Sequence, residues 1–102
     1  YINQWLGGNK GGTWIFDINA DGTLSNMRKF LDVWGDGMAL DEKGNLYIPN
    51  GAGVTAYDPN GNRIFNVPTK GATNCTFAGK DNKTLFITGP TNAVNILKMK
   101  VK

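Results

Sequence analysis

Short apolar runs alternate with turn-forming residues along this chain, and the spacing of the runs is that of β-strands. Leu46-Tyr47-Ile48 and Val54-Thr55-Ala56-Tyr57 are rich in β-branched and aromatic residues and are of strand length. Glu42-Lys43-Gly44-Asn45 and Asp58-Pro59-Asn60-Gly61 close them, each with Gly or Asn where a turn needs positive φ. With Met38-Ala39-Leu40 ahead of the first turn, Gly35 to Phe65 predicts four short strands joined by tight turns. No segment carries a helical 3.6-residue apolar stripe of useful length.

The pattern recurs. In Ala72 to Met99, Gly79-Lys80-Asp81-Asn82 takes the place of the first turn, and Leu85-Phe86-Ile87 that of Leu46-Tyr47-Ile48, 39 residues on. A period of roughly 40 residues built of four strands is that of a propeller blade. Extended backwards, Tyr1-Ile2 matches Tyr47-Ile48 and Thr13 to Asp17 matches Val54 to Asp58. The turn Asn19-Ala20-Asp21-Gly22 then answers Asp58-Pro59-Asn60-Gly61, and Met27 to Leu31 is an outermost strand. With blade strands labelled A (innermost) to D, the chain reads BCD, ABCD, ABC. The expectation is an all-β fold, a β-propeller fragment of about two and a half four-stranded antiparallel blades. Residues 1–32 would be a partial blade (B, C, D), 33–68 a full blade, and 69–102 a last blade lacking its outer strand. Open inter-blade faces and an unpaired final strand are an aggregation liability, so missing upstream blades or another chain are expected to close the fold.

Composition narrows the possible functions. In 102 residues there are 14 Gly, 4 Pro, 3 Trp, 3 Tyr and 5 Phe, which suits one turn-rich all-β unit. No run of ~18 apolar residues and no basic, apolar, small-residue leader is present, so no membrane association is expected and localisation stays open. Net charge is +3, but Lys10, Lys43, Lys70, Lys80, Lys98, Lys100 and Lys102 are scattered rather than interleaved with aromatics, so no nucleic-acid partner is expected. The absence of His removes Ser–His and Cys–His nucleophiles, His zinc sites and His bases. The lone Cys75, in an apolar strand, is expected to be a buried core thiol.

Four stretches resemble the gluconolactonase family, which includes regucalcin (senescence marker protein 30) and the bacterial drug-responsive lactonases. Asp36-Gly37-Met38 followed by Asp41-Glu42-Lys43-Gly44-Asn45-Leu46-Tyr47 looks like the family's DGM…GNLYV segment. Phe16-Asp17 with Asp21-Gly22-Thr23-Leu24-Ser25-Asn26-Met27-Arg28 resembles its FD…G.LSN.R hairpin. Thr73-Asn74-Cys75-Thr76-Phe77-Ala78-Gly79 resembles its TN..FGG strand, with Ala78 where Gly is usual, and Lys83-Thr84-Leu85-Phe86-Ile87-Thr88 resembles KTLYIT. The likeness runs through essentially the whole chain but matches only the last third or so of a six-bladed propeller.

What the resemblance implies is metal-dependent hydrolysis of a sugar lactone or other small lactone. The family's divalent ion is held at the top of the channel by a Glu, an Asn and the Asp of the DGM motif. Only the last carries over, onto Asp36; the Asn would fall just before Tyr1 and the Glu far upstream. Calcium is the expected cofactor, with zinc, manganese and magnesium as alternatives, since oxygen donors suit hard cations. The ion would polarise the lactone carbonyl while a carboxylate positions or deprotonates water. Asp36 is the catalytic and metal candidate, as ligand, base or both. The fragment alone is expected to be inactive. The alternative is a non-catalytic propeller, a binding platform with a structural metal or none.

The predicted topology agrees with that role for Asp36, which stands at a D–A connection directly before its A strand. Asn74 holds the corresponding place one blade later. Trp34 and the B–C loops Asn3 to Gly12, Pro49 to Gly53 and Gly89 to Asn92 share that face. Asn74, Trp34 and Trp5 are therefore substrate-pocket candidates, although aromatics in blades more often pack between blades, and Trp14 is expected in the core. Gly7-Gly8-Asn9-Lys10-Gly11-Gly12 lacks the ending and the helix of a phosphate loop, so a flexible pocket-side loop is expected. Asp41, Glu42, Asp58 and Asp81 fall on the opposite face as solvated turn formers.

Overall fold

The computed structural model describes residues 1–8, 10–89 and 94–101. Among them are ten strands and no helix: β1 (Ile2–Gly7), β2 (Lys10–Ile18), β3 (Leu24–Leu31), β4 (Ala39–Leu40), β5 (Leu46–Asn50), β6 (Gly53–Tyr57), β7 (Arg63–Val67), β8 (Asn74–Ala78), β9 (Thr84–Thr88) and β10 (Val94–Lys98). They form three antiparallel sheets, ordered β1-β2-β3, β4-β5-β6-β7 and β10-β9-β8. Among the described residues no helix is long and apolar enough to cross a membrane. The chain divides into two compact units, Tyr1–Trp34 and Gly35–Lys102.

Tyr1–Trp34 holds the first sheet. Its expected B–C loop is much shorter than the Gly-rich run suggested. Strand pairing runs to Gly7↔Lys10, and Gly11 and Gly12 lie inside β2, facing Trp5 and Gln4. The reason is steric: a Cβ on Gly11 would collide with the Gln4 carbonyl, so bare backbone lets the two strands close. Thr13 is fully buried, its hydroxyl 2.7 Å from Asn3 Oδ1 and 2.9 Å from the Val33 carbonyl. Trp14 departs from its expected core place. It is half-buried on the opposite sheet face, its Nε1 donating to Gln4 Oε1 at 3.0 Å, with Lys29 Nζ 5.8 Å from the ring centroid.

In Gly35–Lys102 the other two sheets share one core. Tyr47, Val54, Ala56, Ala72, Cys75, Leu85 and Ile87 are buried together, with Ala39, Phe65, Val67, Phe77 and Met99 packed against them. Alternation explains the selection: Tyr47 pairs with Ala56, Ala56 with Phe65, and Phe77 with Leu85, so each set points to one face. Tyr47 meets Phe65 and Phe77 edge-on, at centroid distances of 5.8 and 5.1 Å. Each fully buried Leu, Ile or Val contributes roughly 1.5–3 kcal/mol. Among the described residues β10 pairs only with β9, and it is exposed throughout.

One five-residue turn is used three times. Asp41, Asp58 and Asn19 each donate their amide to the carbonyl four residues on, and each accepts from the Gly three residues on (Gly44, Gly61, Gly22). Asp41 Oδ1 accepts from Lys43 N and Asn45 N at 2.9 and 3.0 Å, and Asp58 Oδ1 from Asn60 N and Asn62 N, both at 2.9 Å. Asp41 is not solvated, however. It is 7% exposed, and its Oδ2 also accepts from Asn45 Nδ2 and the Tyr47 hydroxyl.

Candidate functional site

Asp36 lies in the bend that leads into β4, and it is exposed. β4 is shorter than the Met38-Ala39-Leu40 strand expected. Ala39 pairs with Tyr47 as Phe77 pairs with Leu85, so the two hairpins share a register with equivalent positions 38 residues apart. Gly44 and Asn82, also 38 apart, both take positive φ (82° and 57°) in their turns. Leu85 thus answers Tyr47, not Leu46. In β8 the ladder continues to Cys75↔Ile87 and Asn74↔Thr88. The corresponding partner of Gly37 is Pro49, which has no N–H to donate. The ladder stops there, and Asp36-Gly37-Met38 bends out of it.

The Gly37 backbone is bonded to the next hairpin. Gly37 N donates to the Thr73 carbonyl at 3.2 Å. The Asn74 carboxamide lies directly over Gly37, where a Cβ would collide with its Oδ1, and Asn74 Oδ1 accepts from Cys75 N at 2.8 Å. Asn74 is therefore held against the residue that follows Asp36. Asn74 and Thr88 also line a pocket of about 190 Å³ with Cys75, Thr76 and Phe86, of which Asp36 is not part. Cys75 is buried at 5% exposure, and burial pushes its thiol from 9.0 up to about 11. Burial, reinforced by the Asp41 carboxylate, likewise raises the Tyr47 hydroxyl.

The other two candidates belong to Tyr1–Trp34 and meet there. Trp5 and Trp34 pack with tilted rings, at a centroid distance of 5.9 Å and an interplanar angle of 38°. Trp5 Nε1 donates to the Gly8 carbonyl at 2.9 Å, and Trp34 Cδ1 sits 3.0 Å from where a Cβ of Gly11 would be. The pairing of Trp5 with Gly11 puts both indoles on one side of that sheet. The expected B–C loop at Pro49 to Gly53 is a two-residue turn, Gly51-Ala52. The one at Gly89 to Asn92 lies, apart from Gly89, outside the described residues.

Among the described residues no three His, Cys, Asp or Glu side chains group to hold a metal ion. Asp36 fits a hard cation in kind, as an exposed carboxylate with no salt bridge to a described residue. It does not fit in number: a calcium ion takes six to eight oxygens. Asp41, Asp58 and Asp81 do not add to it, since their oxygens accept turn amides and, for Asp81, also Lys98 at 2.6 Å. Sequence reasoning missed the seating of Asn74 on Gly37. The Asp-Gly of the motif is its only local sign, because the contact spans 37 positions.

Three comparisons converge. The model of the SMP-30/Gluconolactonase/LRE-like region matches residues 7–91. A gluconolactonase from Zymomonas mobilis is 30% identical over 97 residues, covering 81% of this chain and 27% of that protein. A Bacillus subtilis protein provisionally named sugar lactone lactonase YvrE is 41% identical over 61 residues, covering 55% of this chain and 21% of that protein. The chain thus spans about a quarter of the length of the curated relatives it matches. Among solved structures, a gluconolactonase from Xanthomonas campestris superposes with a TM-score of 0.78 at 31% identity, covering 92% of this chain and 31% of that one. The fold is that of part of a β-propeller, and the chain belongs to the SMP-30/gluconolactonase/LRE-like family.

Proposed function

We propose that this chain is part of a metal-dependent lactonase that hydrolyses a sugar lactone or other small lactone, with Asp36 as one ligand of a divalent ion, calcium first. The observation that carries this is the placement of Asp36 within a family match to gluconolactonases. It is an exposed carboxylate on the bend that leads into β4. The remaining ligands would come from outside the chain, so these residues alone are expected to be inactive.

A bound divalent ion supplies a Lewis acid for the lactone carbonyl. Asp36 would hold the ion, or as a carboxylate beside it accept a hydrogen bond from the attacking water and take its proton, or do both. Asn74, fixed by its bond to Cys75 N, still carries an Nδ2 donor and a second Oδ1 lone pair for a substrate hydroxyl. The water oxygen would bond to the carbonyl carbon, the ring C–O bond would break, and the proton taken from water would pass to the ring oxygen, giving the open hydroxy acid.

Hydrolysis of glucono-1,5-lactone, measured with and without chelator in wild type and Asp36→Ala of the longer protein that supplies the remaining ligands, tests the assignment. Loss of activity in both the chelated and the substituted protein supports it. An unchanged rate in Asp36→Ala removes Asp36 from the site, and a wild type without activity leaves the binding-platform alternative.

A further inference from the structure

We infer that Asn60-Gly61 is a site of spontaneous backbone modification, where the protein loses ammonia through a cyclic imide and acquires isoaspartate, while the fold protects Asn50-Gly51 from the same reaction. Pro-Asn-Gly occurs twice, at 49–51 and 59–61, in the turns at the two ends of β6. In both copies a residue without a side chain follows the asparagine, so nothing shields its amide from the carboxamide. The reaction begins when Gly61 N, its proton given up to water, bonds to Asn60 Cγ. The bond from Cγ to the carboxamide nitrogen breaks, ammonia leaves with a proton taken back from water, and the imide remains. Water then adds to one of the two imide carbonyls. Opening at Cγ gives aspartate; opening at the backbone carbonyl gives isoaspartate, with the main chain routed through Cβ. Water enters and ammonia leaves, so the chemistry holds whatever the protein hydrolyses.

Because the tripeptides are identical, their hydrogen bonds decide which one reacts. Ring closure requires the asparagine carboxamide to swing onto the next amide. At Asn50 the carboxamide is held at both ends: Nδ2 donates to Thr55 Oγ1 at 3.1 Å, and Oδ1 accepts from Ala52 N at 2.9 Å. Thr55 is itself buried, and its hydroxyl also accepts from Asn66 Nδ2 at 2.8 Å. The Gly51 carbonyl accepts from Gly71 N at 3.1 Å, which fixes the turn from its other side. Asn60 differs. It is exposed, and its carboxamide makes no hydrogen bond to a described residue. Its N–H donates to Asp58 Oδ1, a backbone bond that leaves the side chain able to rotate. What opposes closure there is the bond from Gly61 N to the Asp58 carbonyl at 2.9 Å, in an exposed turn. The product adds a carboxylate beside that of Asp58, which already accepts from Asn60 N, Asn62 N and Asn62 Nδ2.

The test is incubation of the full chain at mildly alkaline pH, folded and in guanidinium chloride. Peptide mass spectrometry locates each amide-to-acid conversion, and an L-isoaspartyl methyltransferase with S-adenosylmethionine labels the isoaspartate. In the folded protein Asn60 is expected to convert roughly two- to tenfold faster than Asn50, the factor that one additional hydrogen bond supplies. In guanidinium chloride the two rates are expected to converge. Equal rates in the folded protein, faster conversion at Asn50, or no isoaspartate at Asn60 overturns the proposal. So does the same bias in guanidinium chloride, which would assign it to the flanking residues rather than to the fold. Thr55→Val removes the partner of Asn50 Nδ2 and is expected to speed conversion at Asn50 by a similar factor. An unchanged Asn50 rate in a Thr55→Val protein that melts like wild type overturns the protection. If that variant does not fold, the wild-type comparison decides alone.

Discussion

The carboxamide of Asn74 occupies the space that a side chain on Gly37 would fill. Gly37→Ala therefore forces Asn74 aside and breaks its 2.8 Å bond to Cys75 N. Overpacking of this kind costs about 1–3 kcal/mol. In Gly37→Ala/Asn74→Ala the obstructing amide is gone, and more than half of the loss is expected to return. Urea melts of the four proteins in the cycle measure the coupling. Additive losses would show that the contact is not what restricts position 37.

Cys75 gives a test in alkali. Burial raises its folded-state pKa from 9.0 to about 11, so between those values the native state holds a proton that the unfolded chain releases. Its contribution is fully present below pH 9 and is lost as pH rises through 11. Over that window the one thiol contributes a slope of about 1.4 kcal/mol per pH unit. Cys75→Ala is expected to flatten the alkaline limb of a stability–pH curve by that amount, after a uniform loss for the missing sulfur. A thiol reagent should react with the native protein only at the rate of opening. Immediate labelling of folded protein would contradict the burial.

Strand positions and turns were legible because both are local. Alternation marks Tyr47, Ala56 and Leu85, and Gly or Asn marks each positive-φ corner. The register was not. Leu46 and Tyr47 are both apolar and both buried, so sequence alone could slide Leu85 onto either, and only the pairing of Ala39 with Tyr47 decides. β4 was overextended because Pro49, whose missing N–H ends the ladder, sits in a different strand. Asp36 was legible as an acidic residue at a strand entrance, and its proposed role came from resemblance. Asn74 on Gly37 and Trp5 on Trp34 were invisible as contacts, since each joins residues roughly 30 or more positions apart.

The Asp41–Tyr47 pair is expected to behave as a buried structural hydrogen bond. The Tyr47 hydroxyl donates to Asp41 Oδ2 at 3.0 Å, and both residues are buried. Tyr47→Phe keeps the edge-on contacts with Phe65 and Phe77 and removes only the donor. The carboxylate retains three partners in Lys43 N, Asn45 N and Asn45 Nδ2. A loss of about 1.5–3 kcal/mol, the range for hydrogen bonds to charged groups, is expected in denaturant melts. A loss near zero would mean that water replaces the hydroxyl.

Metal linkage gives a test of Asp36 that needs no substrate. An ion that binds only the native state stabilises it by RT ln(1 + [L]/Kd), about 2.7 kcal/mol at a hundredfold excess over Kd. In the protein with its full ligand set, calcium is expected to raise Tm and chelator to reverse the rise. Asp36→Ala removes the exposed carboxylate without touching the core, so its Tm in chelator should match wild type while most of the calcium response disappears. The comparison separates a ligand from a structural turn residue, because loss of a turn aspartate would lower Tm equally with and without calcium. An undiminished calcium shift in Asp36→Ala would place the ion elsewhere.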